Sequence, residues 1–157
     1  MTDAESLAPV RRSVRVAANR DRAFELFTGF EWWPKSYSIL ETRSPQTGVI
    51  LELSKGGRWF ERGEDGSEAD WGKLLVVEKP SRLVLTWQLG ADYRYHPEHA
   101  TEVEVNFVPD GTKAVTLTLE HRHFERFGAA AEAVRASVDG PQGWEGLLKG
   151  YAEAVSG

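Results

Sequence analysis

From residue 49 to residue 123 apolar side chains recur at every second position, and from about residue 129 onward they recur at the helical period. Closely spaced strands joined by tight turns pair antiparallel, and an amphipathic helix is stable only when its apolar stripe has a surface to cover. The pattern therefore predicts a meander of strands closed by a helix. Strands are expected over 49–53, 58–62, 68–78, 82–89, 101–108 and 113–123. Asp65-Gly66 and Asp110-Gly111 supply hairpin turns, since glycine accepts positive φ there without steric cost. Gly72, inside the third of these strands, marks a bulge.

Upstream, 10–16 alternates as a half-buried strand with Val14 and Val16 inward. Asn19 is placed to cap a short helix carrying Ala23, Phe24, Leu26 and Phe27, which Gly29 ends. Phe30-Glu31-Trp32-Trp33-Pro34 reads as a second helical turn stopped by proline. The pattern over 35–47 is weak. At the other end, 129–138 is alanine-rich and helical, 139–143 interrupts it, and Trp144, Leu147, Leu148, Tyr151, Ala152 and Val155 then form one stripe. Toward that stripe point Leu83, Leu85, Trp87 and Leu89, then Val103, Val105 and Phe107, then Val115, Leu117, Leu119, His121 and His123. Their partners (Val84, Thr86, Gln88; Glu102, Glu104, Asn106; Thr116, Thr118, Glu120, Arg122) fall on a wet face, so the fold class is α+β with helices on one side of the sheet.

A length of 157 residues suits one domain, here 10–157 after a flexible lead over 1–9. The chain contains no cysteine, which removes disulfides, thiolate metal sites and a cysteine nucleophile. Its net charge of −5 gives no electrostatic ground for a nucleic-acid or anionic-membrane partner. No signal-peptide pattern or apolar run long enough for a membrane span occurs, and the expected location is the cytoplasm.

Six tryptophans, at 32, 33, 59, 71, 87 and 144, are the unusual part of the composition. They either fill a large core or line a cavity for something flat and apolar. Glu61 shares a face with Trp59, Trp71 lies across the hairpin, and Gly143, Gly146 and Gly150 sit near the closing stripe, where small residues permit close approach or leave space. His121 and Glu61 offer a general-base pair in principle. His121 and His123 offer two metal ligands without a third, and no metal or cofactor is expected. The loop holding Tyr93, Tyr95, His96 and His99 is a candidate lid.

Trp32-Trp33-Pro34, Gly56-Gly57-Arg58-Trp59-Phe60-Glu61, Asp65-Gly66-Ser67-Glu68, Trp71-Gly72, Lys79-Pro80-Ser81-Arg82-Leu83, Leu85-Thr86-Trp87, Leu119-Glu120-His121 and Gly143-Trp144, taken in that order, resemble the START-like (SRPBCC) superfamily. Within it they resemble the branch related to the activator of the 90-kDa heat-shock-protein ATPase, over roughly residues 10–155. The resemblance implies a helix-grip fold: a curved antiparallel sheet of about seven strands around a long C-terminal helix, with two short helices after the first strand. It also implies an apolar cavity between sheet and helix. Carried onto this chain, the ligand-binding positions are Trp59, Glu61, Trp71, Trp87, Phe107, His121, Trp144, Leu148 and Tyr151. The break at 139–143 departs from members that run one longer helix, and the co-chaperones' separate N-terminal domain has no room in this chain. The expected function is binding of a small lipid-, polyketide- or flavonoid-like molecule, as carrier or sensor, with no catalytic residue assigned. The alternatives are a stress-linked interaction module with a chaperone or homodimer partner, and a cyclase or hydrolase acting on a polyketide-like substrate.

Overall fold

The computed structural model describes residues 7–156; of the lead expected over 1–9, residues 1–6 lie outside the described residues. Seven strands form one antiparallel sheet: β1 (Val10–Val16), β2 (Gln46–Leu51), β3 (Arg58–Gly63), β4 (Glu68–Glu78), β5 (Arg82–Trp87), β6 (Thr101–Pro109) and β7 (Val115–Arg122). Their order is β1-β7-β6-β5-β4-β3-β2, so β2 to β7 are a simple meander and β1 adds to its far edge. The helices are α1 (Arg20–Gly29), α2 (Ala131–Val138), which continues a 3-10 turn over Phe124–Ala130, and α3 (Trp144–Ser156).

The local signals act as their chemistry requires. The Asn19 side chain accepts from the Arg22 N–H at 2.9 Å, and Phe30 closes α1 in the left-handed region at φ 56°. The segment after Phe30 makes turns rather than the expected second short helix. Pairing shifts between Trp59↔Gly72 and Phe60↔Asp70, leaving Trp71 as the extra residue of a bulge. A bulge bends and twists the strand that carries it, and this one turns the Trp71 indole toward β3. Gly72 is obligatory there, because a Cβ would lie 2.0 Å from the Thr86 carbonyl oxygen.

The inner face is buried as the alternation predicts, and the outer face of β6 and β7 is an ion ladder. Arg122 pairs with Glu102, Glu104 and Glu120, and Arg82 with Glu78 and Glu104. The guanidinium groups of Arg82 and Arg122 hold the Glu104 carboxyl down at about 2. Two expectations about faces are corrected. Val84, expected on the wet side, is buried, and so are Thr86 and Gln88. The 89–100 loop folds back over Thr86 and Gln88, and Gln88 Nε2 donates to the His96 and Pro97 carbonyls. His123, expected inward beside His121, leaves the strand at φ 69° and stands near Glu102 and Glu125.

The core divides in two. Phe24 and Phe27 of α1 pack edge-on against Phe107, at 5.3 and 5.7 Å between ring centroids, and Phe27 meets Tyr151 at 5.3 Å. That half is solid. The other half, around Trp71 of β4 and the end of β5, holds Trp33, Trp59, Trp71, Trp87 and Trp144, while Trp32 packs on Phe27 and Tyr151. In urea unfolding, Gly72→Ala should cost at least about 2 kcal/mol, because its Cβ meets backbone. Gly150→Ala, inside α3 with nothing within 4 Å of the added Cβ, should gain about 0.5–1 kcal/mol.

Candidate functional site

Trp33, Trp71, Trp87 and Trp144 come together from four parts of the chain to wall a cleft of about 380 Å³. Trp33 and Trp71 lie 5.0 Å apart between centroids, and Trp87 and Trp144 lie 5.5 Å apart. One rim is the extended run Ser36, Tyr37, Ser38 and Ile39; a second is Leu89, Gly90 and Tyr93; the third is Ser137, Val138, Gln142, Gly143 and Leu147. The break between α2 and α3 thus forms a wall of the site. Gly143 makes it compact, since a Cβ there would stand 2.2 Å from the Val138 carbonyl oxygen. Tyr37 straps two rims together by donating its hydroxyl to the Gln142 carbonyl at 3.0 Å.

Of the nine positions carried over from the resemblance, Trp71, Trp87 and Trp144 line this cleft. Trp59 is fully buried behind them, packed on Trp71 and Trp87 at 5.5 and 5.8 Å. Glu61 is also fully buried, behind Ser38 and Ile39. Phe107 and Tyr151 belong to the solid half of the core, where the Tyr151 hydroxyl donates to the Ala23 carbonyl at 2.6 Å. Leu148 faces a separate groove beside Arg12 and Val14 of β1. Of the candidate lid residues only Tyr93 reaches the cleft, 71% exposed and in the left-handed region at φ 59°. His96 instead meets Asp92 at 3.0 Å, and both His96 and His99 lean on Phe127.

His121 is a buried tie. Trp144 Nε1 can only donate, and it does so to His121 Nδ1 at 3.0 Å. The ring proton therefore sits on Nε2, which faces Thr101 Oγ1 at 2.8 Å. Thr101 in turn donates to the Trp87 carbonyl at 2.7 Å. The chain is complete only with a neutral imidazole, and burial pushes the His121 pKa down to about 3. Glu61 keeps different company: Ser38 Oγ, the Ile39 N–H at 3.2 Å and Trp71 Nε1 at 2.8 Å. The two groups suggested as a general-base pair thus serve separate partners. Nor do His121 and His123 converge, and among the described residues no group of three or more His, Asp or Glu is arranged to hold a metal ion.

Residues 17–155 match the model of the family described as "Activator of Hsp90 ATPase homolog 1-like protein". The chain belongs to this family. Membership carries the START-like (SRPBCC) helix-grip architecture seen here, and solved structures agree. The chain is 35% identical to the anthrahydroquino-gamma-pyrone synthase Txn09, covering 92% of this chain and 95% of that one with a TM-score of 0.64. It is 34% identical to the self-sacrificing resistance protein CalC from Micromonospora echinospora, over 96% of each chain with a TM-score of 0.69. Protein NE0264 from Nitrosomonas europaea shares the fold at 16% identity, over 99% and 98% of the two chains with a TM-score of 0.65. No curated protein matches the sequence. No helix among the described residues of this family member is long and apolar enough to cross a membrane.

Sequence reasoning missed Trp33, the 36–39 rim and the 137–143 wall. Trp33 was in plain view within Trp32-Trp33-Pro34, and the 139–143 break was visible as a departure. Nothing local said that both face the same space.

The depressed pKa of His121 makes a signed prediction. The unfolded imidazole takes up a proton near pH 6.5, while the folded one stays neutral to about 3. This group therefore leaves stability unchanged above pH 6.5 and removes about 1.4 kcal/mol per pH unit as pH falls below it. Imidazole ¹⁵N spectra at pH 5 should show His121 neutral with its proton on Nε2; titration near 6.5 would contradict the buried chain.

Proposed function

We propose that this chain binds a flat, largely apolar aromatic small molecule in the tryptophan-walled cleft, as a carrier or sensor. The observation that carries the reading is the convergence of four indoles on one open space. Small-molecule pockets are concave, mostly apolar, and a few hundred Å³ in size, with a small number of polar groups fixing orientation. Indoles packed edge-on to one another leave ring faces and edges for offset or perpendicular stacking with a planar guest. Ser38, Ser137, Gln142 and the tyrosines at 37 and 93 supply the polar contacts.

One relative at about one-third identity supports the class of guest. Txn09 is named as synthase of an anthrahydroquino-gamma-pyrone, a fused aromatic product, and was solved in a complex, "complexed with SUM". A cleft of this kind is what a binding domain requires and a solid interaction module does not. The cleft lacks a histidine–carboxylate pair, which supports binding over acid–base turnover by those two groups.

The six indole N–H signals allow a direct test by titration with anthraquinones and flavonoids. Signals of Trp33, Trp71, Trp87 and Trp144 should move while those of Trp32 and Trp59 stay. A saturating ligand at 100 times its Kd should stabilise the fold by about 2.7 kcal/mol. Ser137→Trp, which fills the cleft from α2, should abolish both effects. Shifts confined to other residues, or binding that survives the filled cleft, would refute the assignment.

A further inference from the structure

Glu61 is the one carboxyl group buried among the described residues, and no lysine or arginine pairs with it. Removing a carboxylate from water without a cation is costly unless hydrogen bonds replace hydration. Three donors do so. Trp71 Nε1 donates to Oε2 at 2.8 Å, the Ile39 N–H is 3.2 Å from both oxygens, and the Ser38 hydroxyl donates to Oε1. Two of these are N–H groups that only donate. The third belongs to the most exposed of the three residues, all of which line the cleft: Ser38 is exposed, Ile39 half-buried and Trp71 buried.

This arrangement fixes the polarity of the Ser38 oxygen. Its single hydrogen is held by Glu61. One of its two lone pairs takes the Leu40 N–H at 3.3 Å. That leaves the other lone pair, made more basic by the carboxylate behind the oxygen, because hydrogen bonds in a chain polarise one another. We propose that Ser38, positioned by Glu61, is a specificity-determining acceptor that reads a hydroxyl on the bound aromatic. The ligand class is then narrower than a flat apolar ring system: it is a phenol or enol that donates O–H at the Ser38 rim. Two other rim hydroxyls also give up their hydrogen, but to neutral carbonyls rather than to a carboxylate. The Ser137 hydroxyl is turned onto the Val134 carbonyl, and that of Tyr37 onto the Gln142 carbonyl.

The inference rests on cleft binding, and a matched pair of probes separates the two. 2-Hydroxyanthraquinone and 2-methoxyanthraquinone differ in the one donor, and titration calorimetry of the full chain gives both Kd values. Wild type should prefer the hydroxy compound by about tenfold, the worth of one hydrogen bond to a charge-backed acceptor. Ser38→Ala should erase that preference, and Ser38→Thr, which keeps the hydroxyl, should restore it. Glu61→Gln should shrink the ratio too, since its amide N–H faces the same donors; if it fails to fold, Ser38→Ala decides alone. Equal binding of both probes by wild type, or a preference that survives Ser38→Ala, overturns the proposal while cleft binding stands. Failure of both probes to bind wild type overturns the cleft reading, and the proposal with it.

Discussion

The hydrogen-bonded run from the Trp144 indole through His121 and Thr101 to the Trp87 carbonyl ties α3 to β7, β6 and β5. Each link is obligatory in direction, since an indole only donates and a carbonyl only accepts. Inside a low-dielectric core such a chain is strong when complete and expensive when broken. It sets where α3 begins and which way the Trp144 ring turns. The Trp144 and Trp87 rings, 5.5 Å apart, are the floor of the cleft. The C-terminal helix is thus held to the sheet by a polar anchor at its first residue and by its apolar stripe thereafter.

That anchor explains how one sheet carries both a solid core and a cleft. Near Phe107 and Tyr151 the space between sheet and α3 is taken by Phe24 and Phe27 of α1, which pack edge-on at aromatic contact distances. At the other end no helix inserts. There the bulge that releases Trp71, the turns that present Trp33 and the break after α2 leave a space walled by rings. Trp59 and Glu61 form the layer behind it, Trp59 as packing and Glu61 as the acceptor for three donors. The site is therefore two layers deep. Indoles set the shape, and the buried carboxylate sets the polarity of the one serine in front of it.

Most of the fold is legible in the sequence because its signals are local: Asp65-Gly66 and Asp110-Gly111 make their hairpins, Asn19 caps α1, and the stripe from Trp144 to Val155 is a helix. The candidate site is only partly legible. Alternation tells which face a side chain takes but not what stands opposite it. Phe107 and Tyr151 face inward as expected and meet α1 rather than space, and Leu148 turns toward β1. Ser38 and Ile39 lie in a stretch with no periodicity, and their role exists only because Glu61 and Trp71 arrive from two strands. His123 shows the same limit at a strand end, where a single left-handed residue undoes the period-two rule.

The most direct test of this account is a crystal structure of the chain with a planar hydroxylated aromatic bound. The account predicts the ring system between Trp33, Trp71, Trp87 and Trp144, its hydroxyl within hydrogen-bond distance of Ser38 Oγ, and the Trp144–His121 bond unchanged. A ligand seated elsewhere, or one reached only by pulling Trp144 away from His121, would contradict it.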